Sequence, residues 1–303
     1  MRSGGRNFFS TLLLVLVGCG TAWADAAYQP SGVSEKKDTY TFAIHPYAPP
    51  QELFETYDLI LRYLESKIPG VRFQFEASKN YADFESKLAA QRVHFAMPNP
   101  YQTVLSLKYG YRVIAKMTPD DDFRGVLVTR ADSKLNTLAD LRGKTLCFPS
   151  ATAVAATMLP LLYLHDHGVN IKQDLKIQYV GSQFSSIFNA YSEGAAACGT
   201  STRFWRGWSR ENPDKAKKMK VLFTTAPLPH NSIVAQSGVP ARVAQQVALA
   251  LAGIDRDPAV DQRQFKMDQA HFELANDATY NQMSDFLKRY DQTIGLPESM
   301  NAQ

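Results

Sequence analysis

Residues 93–117 read VHFAMPNPYQTVLSLKYGYRVIAKM. Val93 to Met97 is a strand-forming run, and Pro98-Asn99-Pro100 breaks it. Tyr101 to Leu107 then has helical spacing, and Arg112 to Met117 returns to strand. Outward from this unit the same alternation continues. Tyr40 to Ile44 alternates with period two and ends at His45-Pro46. Pro49-Pro50 opens a helix with Leu53, Tyr57, Ile60, Leu61, Leu64 and Ile68 on one face, and Pro69-Gly70 stops it. Val71 to Phe75 is a strand, and Tyr81, Phe84 and Leu88 mark a short helix. The order βαβαβαβ predicts a mainly parallel sheet with helices on both faces.

After the polar turn Asp120-Asp121-Asp122 the pattern restarts. Strands are expected at Gly125–Thr129, Lys144–Phe148, Ile177–Val180, Ala195–Cys198 and Val221–Phe223. Helices are expected at Leu138–Leu141, Ala151–His165 and Ser185–Tyr191, with amphipathic helices at Val243–Leu251 and Asn281–Tyr290 closing the chain. The fold class is therefore α/β with two lobes: residues 39–124, residues 125–225, and a return to the first lobe over 226–303. Open sheets bind ligands beyond the carboxyl ends of their strands, which puts the site in the cleft at the hinge.

The amino terminus is an export signal. Arg2 and Arg6 precede the apolar run Phe8–Val17, which is too short for an ordinary membrane span. Two cleavages fit: after Ala22-Trp23-Ala24, releasing a soluble protein at Asp25, or at Leu16-Val17-Gly18-Cys19, leaving a lipidated Cys19. A polar tether occupies 25–38. The whole chain of 303 residues has 33 basic and 29 acidic side chains, and losing Arg2 and Arg6 reduces its charge of +4 to +2. That is too little, and too evenly spread, to imply a nucleic-acid partner. With 45% hydrophobic and 20% charged residues the composition is globular.

No GxSxG, HExxH, P-loop or GxGxxG motif is present, and the three cysteines lack zinc spacing. His165 and His167 are two apart on a helix and face different sides. No cofactor, metal or catalytic set is expected. Cys147 and Cys198 fall near the ends of neighbouring strands, and outside the cytoplasm they form a disulfide or stay as buried thiols.

Five segments in order carry a family likeness: Phe42–Tyr47, Phe95–Tyr101, Leu138–Lys144 (LADLRGK), Ala226–Asn231 (APLPHN) and Ala278–Tyr280. Together they resemble the periplasmic phosphate, phosphite and phosphonate-binding proteins of ABC transporters, over about Thr39 to Tyr290. The resemblance implies a type II periplasmic-binding-protein fold whose cleft closes on a small oxyanion. It implies an ABC permease of the inner membrane as partner, a monomer, and no chemistry on the ligand. Tyr47 and Tyr101 match family positions that line the cleft, Asn99 offers a donor in the same loop, and Arg124 is suited to an anion. Where phosphonate binders carry Ser-Thr-Ser-Gly, this chain has Ala153-Val154-Ala155-Ala156, with Ser150 and Thr152 just before. Gln183 replaces a family histidine, Ala197 a family acid, and His94 a family aspartate. These departures point to a phosphonate-like or other oxyanion, or to a less polar ligand. Arg203 and Trp205, from the Arg/Trp-rich stretch 202–208, join the expected site as a pairing and a stacking group. A periplasmic sensor module on the same fold is the alternative.

Overall fold

The structure, a computed structural model, describes residues 37–261 and 271–297. The expected signal at 1–24, the lipidation at Cys19 and the tether up to residue 36 lie outside the described residues.

Six strands form the first sheet: β1 (Asp38–Ile44), β2 (Val71–Glu76), β3 (Phe95–Met97), β4 (Tyr111–Thr118), β10 (Ser232–Gln236) and β11 (His271–Leu274), in the order β11-β4-β10-β3-β1-β2. β1 runs parallel to both β2 and β3. Its period-two pattern is split between two cores. Phe42 and Ile44 face the helices α1 (Pro50–Lys67) and α9 (Ala241–Gly253). Ala43 faces the other way, toward α2 (Tyr81–Ala89), α3 (Pro100–Lys108) and α10 (Asn281–Thr293). Proline at the first position of α1 and α3 removes one of the amide donors that a helix start otherwise leaves unpaired. Asn99 caps α3 in a reciprocal capping box with Gln102.

The second sheet has the order β7-β6-β8-β5-β9 and comprises β5 (Gly125–Arg130), β6 (Lys144–Phe148), β7 (Leu175–Tyr179), β8 (Ala197–Ser201) and β9 (Met219–Thr224). Around it lie α4 (Leu159–Asp166), the short α5 (Ile171–Asp174), α6 (Gln183–Tyr191), α7 (Thr202–Glu211) and the short α8 (Pro213–Ala216). Both sheets are mixed. The two strands that follow a crossing between sheets, β5 and β10, run antiparallel to their neighbours. β10 and β11 escape a sequence reading. β10 is five residues buried on both faces, so it shows no alternation, and β11 is a four-residue edge strand.

Two crossing segments join the sheets, and they are bonded to each other. Thr225 N donates to Gly125 O at 2.9 Å, Gly125 N to Thr225 Oγ1 at 2.9 Å, and Leu228 N to Phe123 O at 3.2 Å. His230 N donates to Asp120 Oδ1 at 2.8 Å, and Asp120 also pairs with the buried Lys116.

The helix expected at Ala151–His165 begins as a π-helical turn over Val154–Met158 and continues as α4. That turn sits directly on the sheet. A Cβ on Gly199 would meet Ala156 O at 2.0 Å and the Phe148 ring at 2.5 Å, and one on Gly125 would meet Ala155 O at 2.3 Å. Cys147 and Cys198, paired in register on β6 and β8, are joined by a disulfide.

Gly199→Ala is expected to cost about 3 kcal/mol or more, because its contact is backbone and cannot yield. Gly207→Ala, in α7 with open space around it, is expected to gain a few tenths up to about 1 kcal/mol. Urea melts of the two variants check this opposition of sign. The double variant Cys147→Ala/Cys198→Ala is expected to lose about 4 kcal/mol, since the bridge closes a loop with a sequence separation of 51. An unchanged urea midpoint would rule that contribution out.

Candidate ligand-binding site

A cavity of about 590 Å³ lies where the two sheets meet. Its walls come from loops that follow strands, the positions at which the backbone leaves a sheet. The first sheet supplies His45 and Tyr47 after β1, and Asn99 after β3. The second supplies Ala153–Ala156 after β6, Gln183 after β7, Ser201 at the end of β8 and Arg203 just beyond it. The second crossing segment supplies His230 and Asn231.

Four polar atoms of residues in this wall are buried without a partner: Arg203 Nη1, Ser209 Oγ, His230 Nε2 and Asn231 Oδ1. Buried polar groups in native proteins are nearly always paired, so four orphans in one wall mark the candidate ligand subsite. Their positions are built firmly. His230 is 3% exposed and Asn231 7%. Asn231 N donates to His230 Nδ1 at 2.7 Å, Tyr280 donates its hydroxyl to His230 O, and Met117 N donates to Asn231 O at 2.9 Å. Because a backbone N–H must be the donor, His230 Nδ1 is unprotonated, and the neutral ring carries its proton on Nε2. Burial, with Arg203, Lys116 and His45 nearby, holds the His230 pKa well below the usual value.

His45 has the opposite tautomer. Its Nδ1 lies 3.0 Å from Met97 O, which can only accept, so the proton is on Nδ1 and Nε2 is an acceptor. Burial lowers its pKa from 6.5 to about 4. Tyr47 and Tyr57 share a hydroxyl contact of 3.3 Å beside Arg203, and burial raises both phenols. Desolvation also lowers the Arg203 pKa. Arg206 is already paired with Asp122 at 2.6 Å.

Of the residues expected from sequence, Tyr47, Asn99, Gln183, Arg203 and Trp205 line the cavity, and Tyr101, Arg124, Ser150 and Thr152 do not. Tyr101 is 0% exposed and packs in the core beneath α3 because it sits on that helix's inward face. Arg124 braces the hinge: it donates to Asp121 O at 2.8 Å and to Thr225 O at 3.1 Å. Thr152 gives its hydroxyl to the buried Glu85 at 2.6 Å, and Ser150 bonds within its own loop. Within the wall, Asn99 donates to Thr152 O at 2.9 Å and Gln183 accepts from Thr200 and Ser201, so both hold the backbone in place. Trp205 stacks on the buried Trp208.

His45, Tyr57, Tyr81, His230 and Asn231 were not singled out. His230 and Asn231 stood in the quoted APLPHN segment, but only tertiary burial reveals their orphan atoms. The alanines at 153–156 have a structural role here. Tyr81 packs on Ala153 and Ala156, bringing an aromatic ring from the first lobe onto the helix start of the second. The lobes are further joined by Gln183 N donating to Tyr47 O at 3.1 Å.

Residues 42–280 match the profile of the ABC transporter, phosphonate, periplasmic substrate-binding protein family. The fold agrees with solved structures. The binding component of an ABC phosphonate transporter from Pseudomonas aeruginosa superposes with a TM-score of 0.74 at 14% identity, over 85% of this chain and 88% of that one. PhnD1 from Prochlorococcus marinus, in complex with methylphosphonate, gives 0.76 at 17% identity, over 85% and 99%. The alkanesulfonate-binding protein SsuA from Xanthomonas axonopodis pv. citri, bound to MOPS, gives 0.54 at 14%, over 84% and 83%. The fold is that of a type II periplasmic binding protein. The chain belongs to the periplasmic substrate-binding protein family of ABC phosphonate transporters.

His45 supplies a test of the site's dryness. The unfolded chain takes up a proton on this histidine below about 6.5, which the native state refuses until about 4. Stability is therefore complete above that window and falls as pH drops through it, by up to about 3 kcal/mol. His45→Gln is expected to flatten the curve of melting temperature against pH there. An unchanged curve would mean that His45 is hydrated.

Proposed function

We propose that this protein captures an organic oxyanion of the phosphonate type in the cleft by lobe closure, leaves it chemically unchanged, and presents the closed form to an inner-membrane ABC permease. The observation that carries this reading is the pair of buried donors, Arg203 Nη1 and His230 Nε2–H, left without partners in the cavity wall. Donors held in a dry site bind anions strongly because the protein does not reorganise to meet them. The helix start at Ala153–Ala156 adds the positive end of a helix. It stands in for the hydroxyl donors of the family motif with backbone alone.

The cavity of about 590 Å³ exceeds what a bare oxyanion fills, and Tyr47, Phe184 and Trp205 offer apolar surface to a substituent. Hinge motion fits the architecture, since among the described residues two bonded crossing segments connect the sheets. Among the described residues no helix is long and apolar enough to cross a membrane. Export, with release before Asp25 or anchoring through Cys19, sets the protein beside its permease. The protein works as a monomer.

A thermal-shift panel of phosphate, phosphite, alkyl- and arylphosphonates and sulfonates tests the reading. A bound compound at about 100 times its Kd stabilises by about 2.7 kcal/mol. Arg203→Gln is expected to weaken phosphonate binding about 100-fold while leaving the ligand-free protein as stable or more so, because a buried unpartnered cation is removed. Unchanged affinity in this variant, or a panel in which no oxyanion shifts the melt, would refute the assignment.

A further inference from the structure

The start of the segment that follows β6 is gripped by two helices of the opposite lobe. Tyr81 and Glu85 are four residues apart on α2 and share one face of it. Tyr81 packs on Ala153 and Ala156, and Glu85 Oε1 accepts the Thr152 hydroxyl at 2.6 Å. The cap of α3 takes the same threonine by its backbone, with Asn99 Nδ2 donating to Thr152 O at 2.9 Å. Gln102 Nε2 donates to Glu85 Oε1 at 3.0 Å. Glu85, Asn99, Gln102 and Thr152 are all buried.

Backbone groups fix the direction of these bonds. Gln102 N donates to Asn99 Oδ1 at 3.0 Å, so the Asn99 amide nitrogen is the end that meets Thr152 O. Asn99 N donates to Gln102 Oε1 at 3.2 Å, so the Gln102 amide nitrogen is the end that meets Glu85. A carboxylate oxygen only accepts, which makes the Thr152 hydroxyl the donor. The capping box of α3 therefore does two things: it closes the helix start and it reaches into the second lobe.

We propose that this set is a latch, in which Glu85 and Thr152 hold the cleft closed without touching the ligand, so that the ligand-free protein populates the closed form. The proposal goes beyond the functional reading and does not depend on what the ligand is. Glu85 and Thr152 are positioning residues. The groups they hold, Tyr81, Asn99 and Ala153–Ala156, line the cavity, and the latch pair stands behind them.

Glu85, Asn99 and Gln102 belong to the first lobe and Thr152 to the second, so the bonds to Thr152 exist only while the lobes are together. The bond to the carboxylate is charge-assisted, roughly twice as strong as a neutral one. Burial pushes the Glu85 carboxyl up, and the bonds from Thr152 and Gln102 pull it back, which keeps a charge in a buried place. Gln183 N donating to Tyr47 O adds a further bond between the lobes, made likewise by the chain's own groups. The unpartnered atoms of the cavity wall weigh against closing a dry cleft, and the latch weighs for it.

Small-angle X-ray scattering of the purified, ligand-free protein tests this. The unaltered protein is expected to scatter with the dimensions of the closed lobes. Thr152→Val keeps the shape of the side chain and removes the hydroxyl. It is expected to shift the balance toward the open form by about tenfold or more, read as a larger radius of gyration. Thr152→Ser restores the hydroxyl and is expected to keep the closed dimensions. Glu85→Ala should open the protein as Thr152→Val does, and the two together should open it no further than either alone. Methylphosphonate should leave the Thr152→Val protein about tenfold faster or more, by stopped-flow. An unaltered protein that is open without ligand overturns the proposal, and so do Thr152→Val and Thr152→Ser proteins of equal dimensions. If no phosphonate binds, the functional reading falls while the scattering still decides the latch. The first measurement uses the unaltered protein, so a variant that fails to fold does not shield the proposal.

Discussion

The close seat of the π-helical turn on the second sheet organises the cleft. The carbonyls of Ala155 and Ala156 occupy the space that side chains at Gly125 and Gly199 would fill. This fixes the helix start at the carboxyl end of β6, where Ala153–Ala156 line the cavity. Gly125 also accepts from Thr225 N and donates its own N–H to Thr225 Oγ1, so the same residue pins the helix start and ties the two crossing segments together. The lobe geometry and the place of the helix start are thus set by one set of close contacts.

Around that seat the wall divides into groups that hold backbone and groups that are free to bind. Asn99, Thr152, Glu85 and Gln183 satisfy one another or nearby amides, and they join the lobes. Arg203, His230 and Asn231 keep an unpartnered atom each. Leaving such atoms dry is costly unless a ligand pairs them, which makes closure around the right ligand far more favourable than closure around a wrong one. The alanines at 153–156 belong to this division. They leave the helix start without side-chain hydroxyls and admit Tyr81 from the opposite lobe.

Much of the fold was legible in the chain because it rests on local pattern. The strands β1 to β4 and the proline-opened helices α1 and α3 follow from alternation, breaks and caps. β10 was not legible, since a short run buried on both faces has no period, and with it went the mixed character of the first sheet. The site divides along the same line. Tyr47, Asn99, Gln183, Arg203 and Trp205 lie just beyond strands, where topology alone directs attention. Tyr101 and Arg124 also lie beyond strands, yet one turns into the core and the other braces the hinge, because side-chain direction depends on neighbours distant in sequence.

By itself the sequence determined an α/β chain with two sheets, an export signal, an oxyanion-binding family and the residues at the strand ends. Those properties are written in periodicity, proline and glycine placement, and ordered segments, all local along the chain. Tertiary structure alone decided that His230 and Asn231 line the cavity, that the His230 tautomer is fixed, and that Thr152 is committed to Glu85. The reason is physical: a polar atom's role depends on whether a partner or water reaches it, and that is settled only when residues far apart in the chain are packed together.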